Sequence, residues 1–209
     1  GIGIRTDLVR YKHAFIDEEH MAMNVKENTA GILEELMNYL QYVNGEQLEC
    51  LVELILKAKH IFTAGAGRSG LAMKAFTNRL MHLGFSVSNV GEISSPHSRP
   101  GDLLLIGSGS GQTESLIALS KKAKSNGMVV ALITMDDTSA IAQISDAVVV
   151  LPGVSPKRKD GGKGLTSIQP MGSAFEQLCF LIYDGIVMRL MERLNENAAS
   201  MFARHADLE

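Results

Sequence analysis

The sequence contains few of the residues that characterise nucleic-acid-binding domains. It has no Trp, aromatic residues make up only 5% of its 209 positions, and 20 basic residues are outnumbered by 23 acidic ones. A nucleic-acid-binding domain usually carries a basic excess, often with aromatic side chains that stack on bases. The composition therefore argues against a nucleic-acid partner.

Cysteines and long apolar runs are also scarce. Cys50 and Cys179 are the only cysteines, they stand far apart, and neither belongs to a metal-ligand spacing. The longest apolar run, residues 128–135, includes a Thr, whereas a membrane-spanning helix needs about 20 apolar residues. We therefore expect a cytoplasmic protein with no disulfide framework, no metal site and no membrane span.

Residues 1–22 do not share the pattern of the remaining chain. They show neither a sustained apolar period nor the apolar segment of a secretory signal peptide. We expect them to be a tag remnant or a disordered extension. Residues 23–209 would then form a single domain of ordinary size.

From residue 23 onward the apolar residues follow first a helical period and then short runs. Residues 25–43 and 46–58 have helical spacing and are joined by Asn44-Gly45, which predicts a helical hairpin. Five strand-like runs follow, with helical segments between and after them, at residues 61–64, 85–90, 103–106, 128–134 and 147–151. The pattern predicts an α/β fold: a five-stranded parallel sheet in a Rossmann-like or flavodoxin-like αβα sandwich, preceded by the hairpin.

Glycine, with 20 residues, is the abundant exception, and its first cluster follows the first predicted strand. Residues Gly65–Gly70 match the G-x-G-x-x-G fingerprint of dinucleotide-binding domains, and Glu92 lies near the position of the ribose-binding acid. This match favours a nicotinamide-dependent oxidoreductase. Against it, Arg68 and Ser69 insert polar side chains into the turn that would face the pyrophosphate.

A second small-residue loop follows the third predicted strand and opens a helix. Small residues and free N–H groups at a helix start suit an anion, although the same loop could be only a tight, capped turn. Ligands bind at the carboxyl ends of strands in open α/β sheets, where both loops would lie. We therefore favour a phosphorylated small molecule, contacted by Ser108, Gly109, Ser110, Gly111, Gln112 and Thr113.

A third cluster covers residues 169–177 and lies at the start of the last long helical segment, residues 171–194. Pro170 suits a helix start, and Glu176 would lie within the first two turns. A carboxylate in this position either complements the helix dipole or, facing a pocket at the sheet edge, serves as a general base.

With these clusters in view, the sequence resembles the sugar isomerase (SIS) domain family and, within it, the isomerases of phosphorylated 3-hexuloses. The resemblance covers about residues 23–209 and rests on segments 63–70, 79–85, 91–92, 107–113, 168–173, 175–177 and 205–209. It implies reversible conversion of D-arabino-3-hexulose 6-phosphate to fructose 6-phosphate, in the ribulose monophosphate route of formaldehyde fixation or detoxification. Such a reaction requires no metal or redox cofactor, and we expect none, because the sequence contains no obvious metal-ligand cluster.

The resemblance also assigns roles to individual residues. It places Ser69 and the 108–113 loop on the substrate and makes Glu176 the proton-transferring base. It makes His205 the histidine that enters the pocket of a neighbouring subunit. A homotetramer with active sites at subunit interfaces and a functional link to 3-hexulose-6-phosphate synthase follow from it.

Three positions keep alternatives open. Arg68 could contact substrate or form an ion pair on the helix face, and Glu92 could belong to the site or have a capping or pairing role. Gln112 stands where the family commonly has Glu, which leaves phosphate binding intact but removes a carboxylate from the loop.

Three other functions also remain possible at this point. A non-catalytic phosphosugar-binding module of a regulator would keep the phosphate loop without using Glu176. A nicotinamide-dependent oxidoreductase would use Gly65–Gly70 as its fingerprint. An isomerase could also act on a different ketose or aldose phosphate.

Overall fold

The computed structural model describes residues 23–155 and 165–208. The predictions for residues 1–22 lie outside these ranges. The described helices are α1 (Val25–Leu40), α2 (Gly45–Lys57), α3 (Gly67–His82), α4 (Glu114–Ser125), α5 (Ala140–Ile144), α6 (Ser173–Leu194) and α7 (Ala198–Phe202). The described strands are β1 (Ile61–Gly65), β2 (Val87–Asn89), β3 (Leu103–Gly107), β4 (Val129–Thr134) and β5 (Ala147–Val150).

The five strands form one parallel sheet in the order β2-β1-β3-β4-β5. The predicted α/β fold with a five-stranded parallel sheet is therefore confirmed. The chain runs from β1 to β2 on one side of β1, and then crosses from β2 to β3 on the other side of β1. This reversal opens a crevice between the carboxyl ends of β1 and β3, which is where open α/β sheets bind ligands.

Alternate side chains of each strand point to opposite faces of the sheet and build two separate cores. On one face, strand residues such as Ile61 and Leu105 pack with α1, α2, α3 and α6; we call this the large core cluster. On the other face, strand residues such as Phe62 and Leu104 pack with α4 and α5; we call this the small core cluster. Helices therefore cover both faces, which explains why the strands are apolar throughout.

The helical hairpin is defined by its asparagine caps. The Asn24 side chain accepts a hydrogen bond from the Glu27 amide at 3.0 Å, and the Glu27 carboxylate accepts one from the Asn24 amide at 2.8 Å. Asn44 caps α2 in a similar way, through the amides of Glu46 and Gln47. Each cap satisfies N–H groups that the helix itself leaves free, and therefore fixes where the helix begins.

The C-terminal region differs from the prediction in two places. Helix α6 begins at Ser173 rather than near Pro170, because Met171 adopts a left-handed backbone conformation (φ 57°), outside the right-handed region of a regular helix. Such a conformation costs a non-glycine residue about 1–3 kcal/mol. The short helix α7 was not predicted, although Asn197 forms a capping box with Ser200 at its start.

None of the described helices combines the length and the apolar character that crossing a bilayer requires.

Candidate functional site

The first glycine loop is a packing joint between β1, α3 and β3. A Cβ atom on Gly65 would lie 2.8 Å from the Gly70 Cα atom and 3.1 Å from the Gly107 carbonyl oxygen. A Cβ atom on Gly70 would lie 2.8 Å from the Gly65 carbonyl oxygen. Both glycines therefore serve to bring backbones together, and α3 starts directly against the end of the sheet.

The second loop, residues 108–113, bends tightly after β3. The Gly111 amide donates to the carbonyl and to the side-chain oxygen of Ser108, both at 3.2 Å, and Gly111 has a positive φ of 58°. Ser108 is buried, Ser110 and Thr113 are half-buried, and Gln112 is exposed. Thr113 makes no capping hydrogen bond with its side chain, and the first N–H groups of a helix have no partner within the helix itself.

Contacts from β4 and α5 hold this second loop in place. The Gly109 carbonyl accepts hydrogen bonds from the Met135 amide at 3.0 Å and from the Thr134 hydroxyl at 3.1 Å. The Gly111 carbonyl accepts one from the Ile141 amide at 3.1 Å. The backbone therefore has a fixed shape, as an anion cradle needs.

Glu176 forms an ion pair with Arg68. The Arg68 Nε and Glu176 Oε2 atoms lie 2.6 Å apart, and the two side chains are 63% and 20% exposed. Arg68 comes from the first turn of α3 and Glu176 from the first turn of α6. The structure thus brings together two of the predicted site residues, and it shows the ion pair that was one of the two interpretations of Arg68.

Phe175 connects this ion pair to the second loop. The Phe175 side chain is 1% exposed, and a Cβ atom on Gly109 would lie only 3.2 Å from its ring and 2.9 Å from Met135 Cε. The residue before Glu176 therefore packs directly beneath the 108–113 loop. The carboxylate and the loop are parts of one packed unit.

Two titratable groups lie further along α6, beneath the site. Burial raises the pKa of the Cys179 thiol to about 12, and it also raises the pKa of the Tyr183 hydroxyl. Both groups therefore stay protonated at neutral pH. At neutral pH Cys179 therefore supplies no thiolate nucleophile.

Ser69 and Glu92 occupy more peripheral positions at the same edge of the sheet. Ser69 is half-buried in the first turn of α3. Glu92 is exposed in the turn that follows β2, where its amide donates to the Asn89 carbonyl at 3.2 Å.

His205 lies away from the other predicted site residues of its own chain. Its ring stacks on His82, with centroids 5.3 Å apart, and on Phe202, with centroids 5.8 Å apart. His82 stands in the last turn of α3 and Arg68 in the first, so the helix separates them by about 20 Å. Arg204 tethers this segment by donating to the His82 carbonyl at 2.9 Å and pairing with Glu196 at 2.8 Å.

Within residues 23–155 and 165–208, no group of three or more His, Cys, Asp or Glu side chains is placed to hold a metal ion.

The sequence carries a domain that is known from other proteins. The SIS domain model matches residues 54–181, which include β1, both loops and the start of α6. The chain belongs to the SIS domain family. Because the first loop of this SIS domain is a packing joint, its G-x-G-x-x-G match does not need a dinucleotide to explain it.

Two named relatives match this chain over all or almost all of their own length. The 3-hexulose-6-phosphate isomerase of Bacillus subtilis (strain 168) is 47% identical over 187 residues, which cover 90% of this chain and 100% of the relative. The enzyme of the same name from Mycobacterium gastri is 34% identical over 186 residues, which cover 89% and 92%.

A solved structure is also similar to this chain. The crystal structure of a hypothetical protein of Methanococcus jannaschii, from which the function of a 3-hexulose-6-phosphate isomerase was inferred, matches with a TM-score of 0.74 and 32% identity. The match covers 88% of this chain and 99% of that one.

One polar contact was not predicted from the sequence: Glu35 of α1 accepts hydrogen bonds from residues 167–169, which precede α6. Segment 168–173 was singled out by the family resemblance, but no local pattern links it to a helix at the other end of the chain. Only the fold brings the two together.

Proposed function

We propose that this chain is a 6-phospho-3-hexuloisomerase that interconverts D-arabino-3-hexulose 6-phosphate and fructose 6-phosphate. The observation that carries the proposal is the packing of Phe175 beneath Gly109. This packing would keep a carboxylate base and a phosphate-binding loop next to each other at the switch point of the sheet. The names of the full-length relatives supply the identity of the sugar.

The 108–113 loop would bind the phosphate. The backbone N–H groups at the start of α4 and the hydroxyls of Ser110 and Thr113 supply donors, and the positive end of the helix favours an anion. Ser108 would shape the loop through its bond with the Gly111 amide and add its own hydroxyl. Gln112 keeps hydrogen-bonding reach without adding a negative charge, and Ser69 would contact the sugar from α3.

Glu176 would move the proton. The carboxylate takes the C2 proton of the 3-keto sugar to give an enediolate and returns it to C3, while the hydroxyl proton of O2 passes to O3. The carbonyl then stands at C2, and no atom or electron pair is gained or lost. A positioned base of this kind contributes about 10²–10⁴-fold in rate.

Arg68 would stabilise the enediolate. Its guanidinium already pairs with Glu176, and its 63% exposed side chain has donors left over for sugar oxygens on which negative charge develops. Glu92 is exposed after the neighbouring strand β2 and would belong to the edge of the same site.

His205 would act in the site of a neighbouring subunit of a homotetramer. The proposal is supported by the position of His205 beside His82, at the opposite end of α3 from Arg68 of its own chain. Apolar surface for subunit contacts is available: a cavity of about 680 Å³ lies between the helical hairpin and α6, with Leu33, Met37 and Leu181 on its rim. In such a site His205 would relay protons between the sugar oxygens.

Loss of proton transfer in Glu176→Gln is the first prediction. In deuterium oxide, wild-type protein should exchange the C3 proton of fructose 6-phosphate for deuterium, visible by NMR. The variant should exchange about 10²–10⁴-fold more slowly, with fructose 6-phosphate affinity within a few-fold of wild type.

The matched control is Glu192→Gln, which makes the same substitution at an exposed position about four turns further along α6. It should retain wild-type exchange. A wild-type protein that binds fructose 6-phosphate but exchanges no proton would instead be a regulatory phosphosugar-binding module. The purified synthase, which releases formaldehyde from the hexulose product, tests the pathway link separately.

Complementation between subunits is the second prediction. Glu176→Gln and His205→Ala should each be inactive alone, but oligomers mixed from both should regain activity, because some sites then combine an intact Glu176 with an intact His205. Mixed oligomers that stay inactive, or a homogeneous His205→Ala protein with wild-type kcat, would contradict the shared site.

A further inference from the structure

We propose that Glu35 of α1 is a positioning residue for the base: it anchors the segment before α6 and thereby sets the location of Glu176. This inference rests on the proposed function, because it concerns the reaction that Glu176 would perform. Glu35 lies in the N-terminal hairpin, outside residues 54–181 that the SIS domain model covers.

Three donors from one short segment converge on the Glu35 carboxylate. Its Oε1 atom accepts hydrogen bonds from the Ser167 hydroxyl at 2.7 Å and from the Gln169 side-chain amide at 3.1 Å. Its Oε2 atom accepts one from the Ile168 backbone amide at 2.7 Å. Hydrogen bonds to an ionised acceptor are stronger than neutral ones, and both oxygens are engaged.

The face of α1 that carries Glu35 is shaped to receive this segment. Gly31, Glu35 and Tyr39 follow one another at intervals of four residues and so share a side of the helix. A Cβ atom on Gly31 would lie 3.0 Å from Ile168 Cδ1, and the Tyr39 hydroxyl donates to the Thr166 carbonyl at 2.8 Å. Burial, followed by the nearby Glu35 charge, raises the pKa of Tyr39, which keeps its hydroxyl a donor.

The path from this anchor to the base is short and stiff. Pro170 has a restricted φ, Met171 is held in the left-handed region at φ 57°, and Gly172 precedes the first residue of α6. A left-handed non-glycine residue persists only where its flanks are fixed. Glu35 fixes one flank, and the buried Phe175 fixes the other.

The anchor should therefore affect the base more than the phosphate, because it leads directly along the backbone to Glu176 and meets the 108–113 loop through Phe175. The 108–113 loop is held by Thr134, Met135 and Ile141, none of which belongs to the anchored segment. Loosening the anchor should displace Glu176 from the reacting carbon while phosphate binding is retained. A displacement of about 1 Å at a reacting group costs up to about 100-fold in rate.

The test is a charge swap between Glu35 and Gln169. Glu35→Gln leaves one side-chain oxygen at position 35, where two now accept hydrogen bonds from residues 167–169. Gln169→Glu places a second carboxylate against that of Glu35. We expect kcat to fall about 10–100-fold in each single variant, with the KM for fructose 6-phosphate changed less than about threefold. The double variant Glu35→Gln with Gln169→Glu restores one carboxylate and one amide and should regain most of the lost kcat.

Two further measurements separate positioning from a purely structural role. Glu34→Gln, which removes a charge from the exposed neighbouring position, is the matched control and should keep wild-type kcat. Hydrogen exchange of the Ile168 amide should accelerate in Glu35→Gln and slow again in the swap. Size-exclusion chromatography should give the wild-type oligomer for all variants.

Unchanged kcat in Glu35→Gln despite faster exchange at Ile168 would overturn the positioning role, as would a swap that restores no activity. Failure of the proposed function looks different. In that case wild-type protein would not exchange the C3 proton of fructose 6-phosphate at all, although the Ile168 amide would still respond to Glu35→Gln.

Discussion

The two glycine-rich loops have similar compositions but perform different tasks. In the first, Gly65 and Gly70 remove side chains so that β1, α3 and β3 can meet, backbone against backbone. In the second, Gly111 takes a left-handed conformation, and the side chains of Met135 and Phe175 pack closely against Gly109. One loop is a joint of the scaffold, whereas the other is the proposed phosphate cradle, with Gln112 exposed.

This difference shows that a glycine motif is defined by what its glycines touch. Gly65–Gly70 matches a dinucleotide fingerprint letter by letter, yet its end glycines are needed for packing. The same joint places Arg68 at the first turn of α3, within 2.6 Å of Glu176. Under the proposed function, the joint would contribute indirectly, through the residue that it orients.

Gly65→Ala should have the largest effect on stability. The added methyl group would collide with the backbone of Gly70 and Gly107, and backbone cannot move aside as a flexible side chain can. We expect a loss of about 3 kcal/mol in the free energy of unfolding, at the upper end of overpacking costs, measured by urea denaturation. A loss below about 1 kcal/mol would show that the joint is not tightly packed.

Gly111→Ala should have an intermediate effect on stability and a larger effect on binding. The left-handed backbone costs an L-residue about 1–2 kcal/mol, and the methyl group would collide with the Ser139 side chain. Because the distortion falls within the cradle, fructose 6-phosphate affinity, measured by calorimetry, should drop about tenfold. Wild-type affinity in the folded variant would exclude this loop as the phosphate site.

Gly67→Ala is the matched control for both substitutions and should have the smallest effect. Gly67 also has a positive φ, 56°, but nothing lies within 4 Å of its added Cβ atom. The cost should be about 1 kcal/mol, from conformation alone, with affinity for fructose 6-phosphate unchanged.

Much of the fold follows from local patterns in the sequence. All five strands lie within or next to the predicted apolar runs, because a strand covered by helices on both faces must be apolar throughout. The boundaries of α6 were less predictable. Pro170 suits a helix start, but the left-handed Met171 delays the helix to Ser173, and that conformation depends on tertiary contacts.

The site could be predicted only in its separate parts. Small residues after β3 and a carboxylate at a helix start are local patterns, so the 108–113 loop and Glu176 could be proposed from sequence. The pairing of Glu176 with Arg68, and of Glu35 with Ser167 and Gln169, joins residues that are distant in sequence. Such pairs depend on which elements the topology makes neighbours.

The two cores on opposite faces of the sheet also differ in when the ribosome delivers their residues. Every buried member of the small core cluster lies between Phe62 and Ala142, so a nascent chain that has emerged as far as β5 already contains all of them. The large core cluster runs from Leu36 to Leu190 and cannot close until α6 has left the exit tunnel. During synthesis, the residues of the small core cluster are therefore complete first, and those of the large core cluster, to which Phe175 beside Glu176 belongs, are complete last.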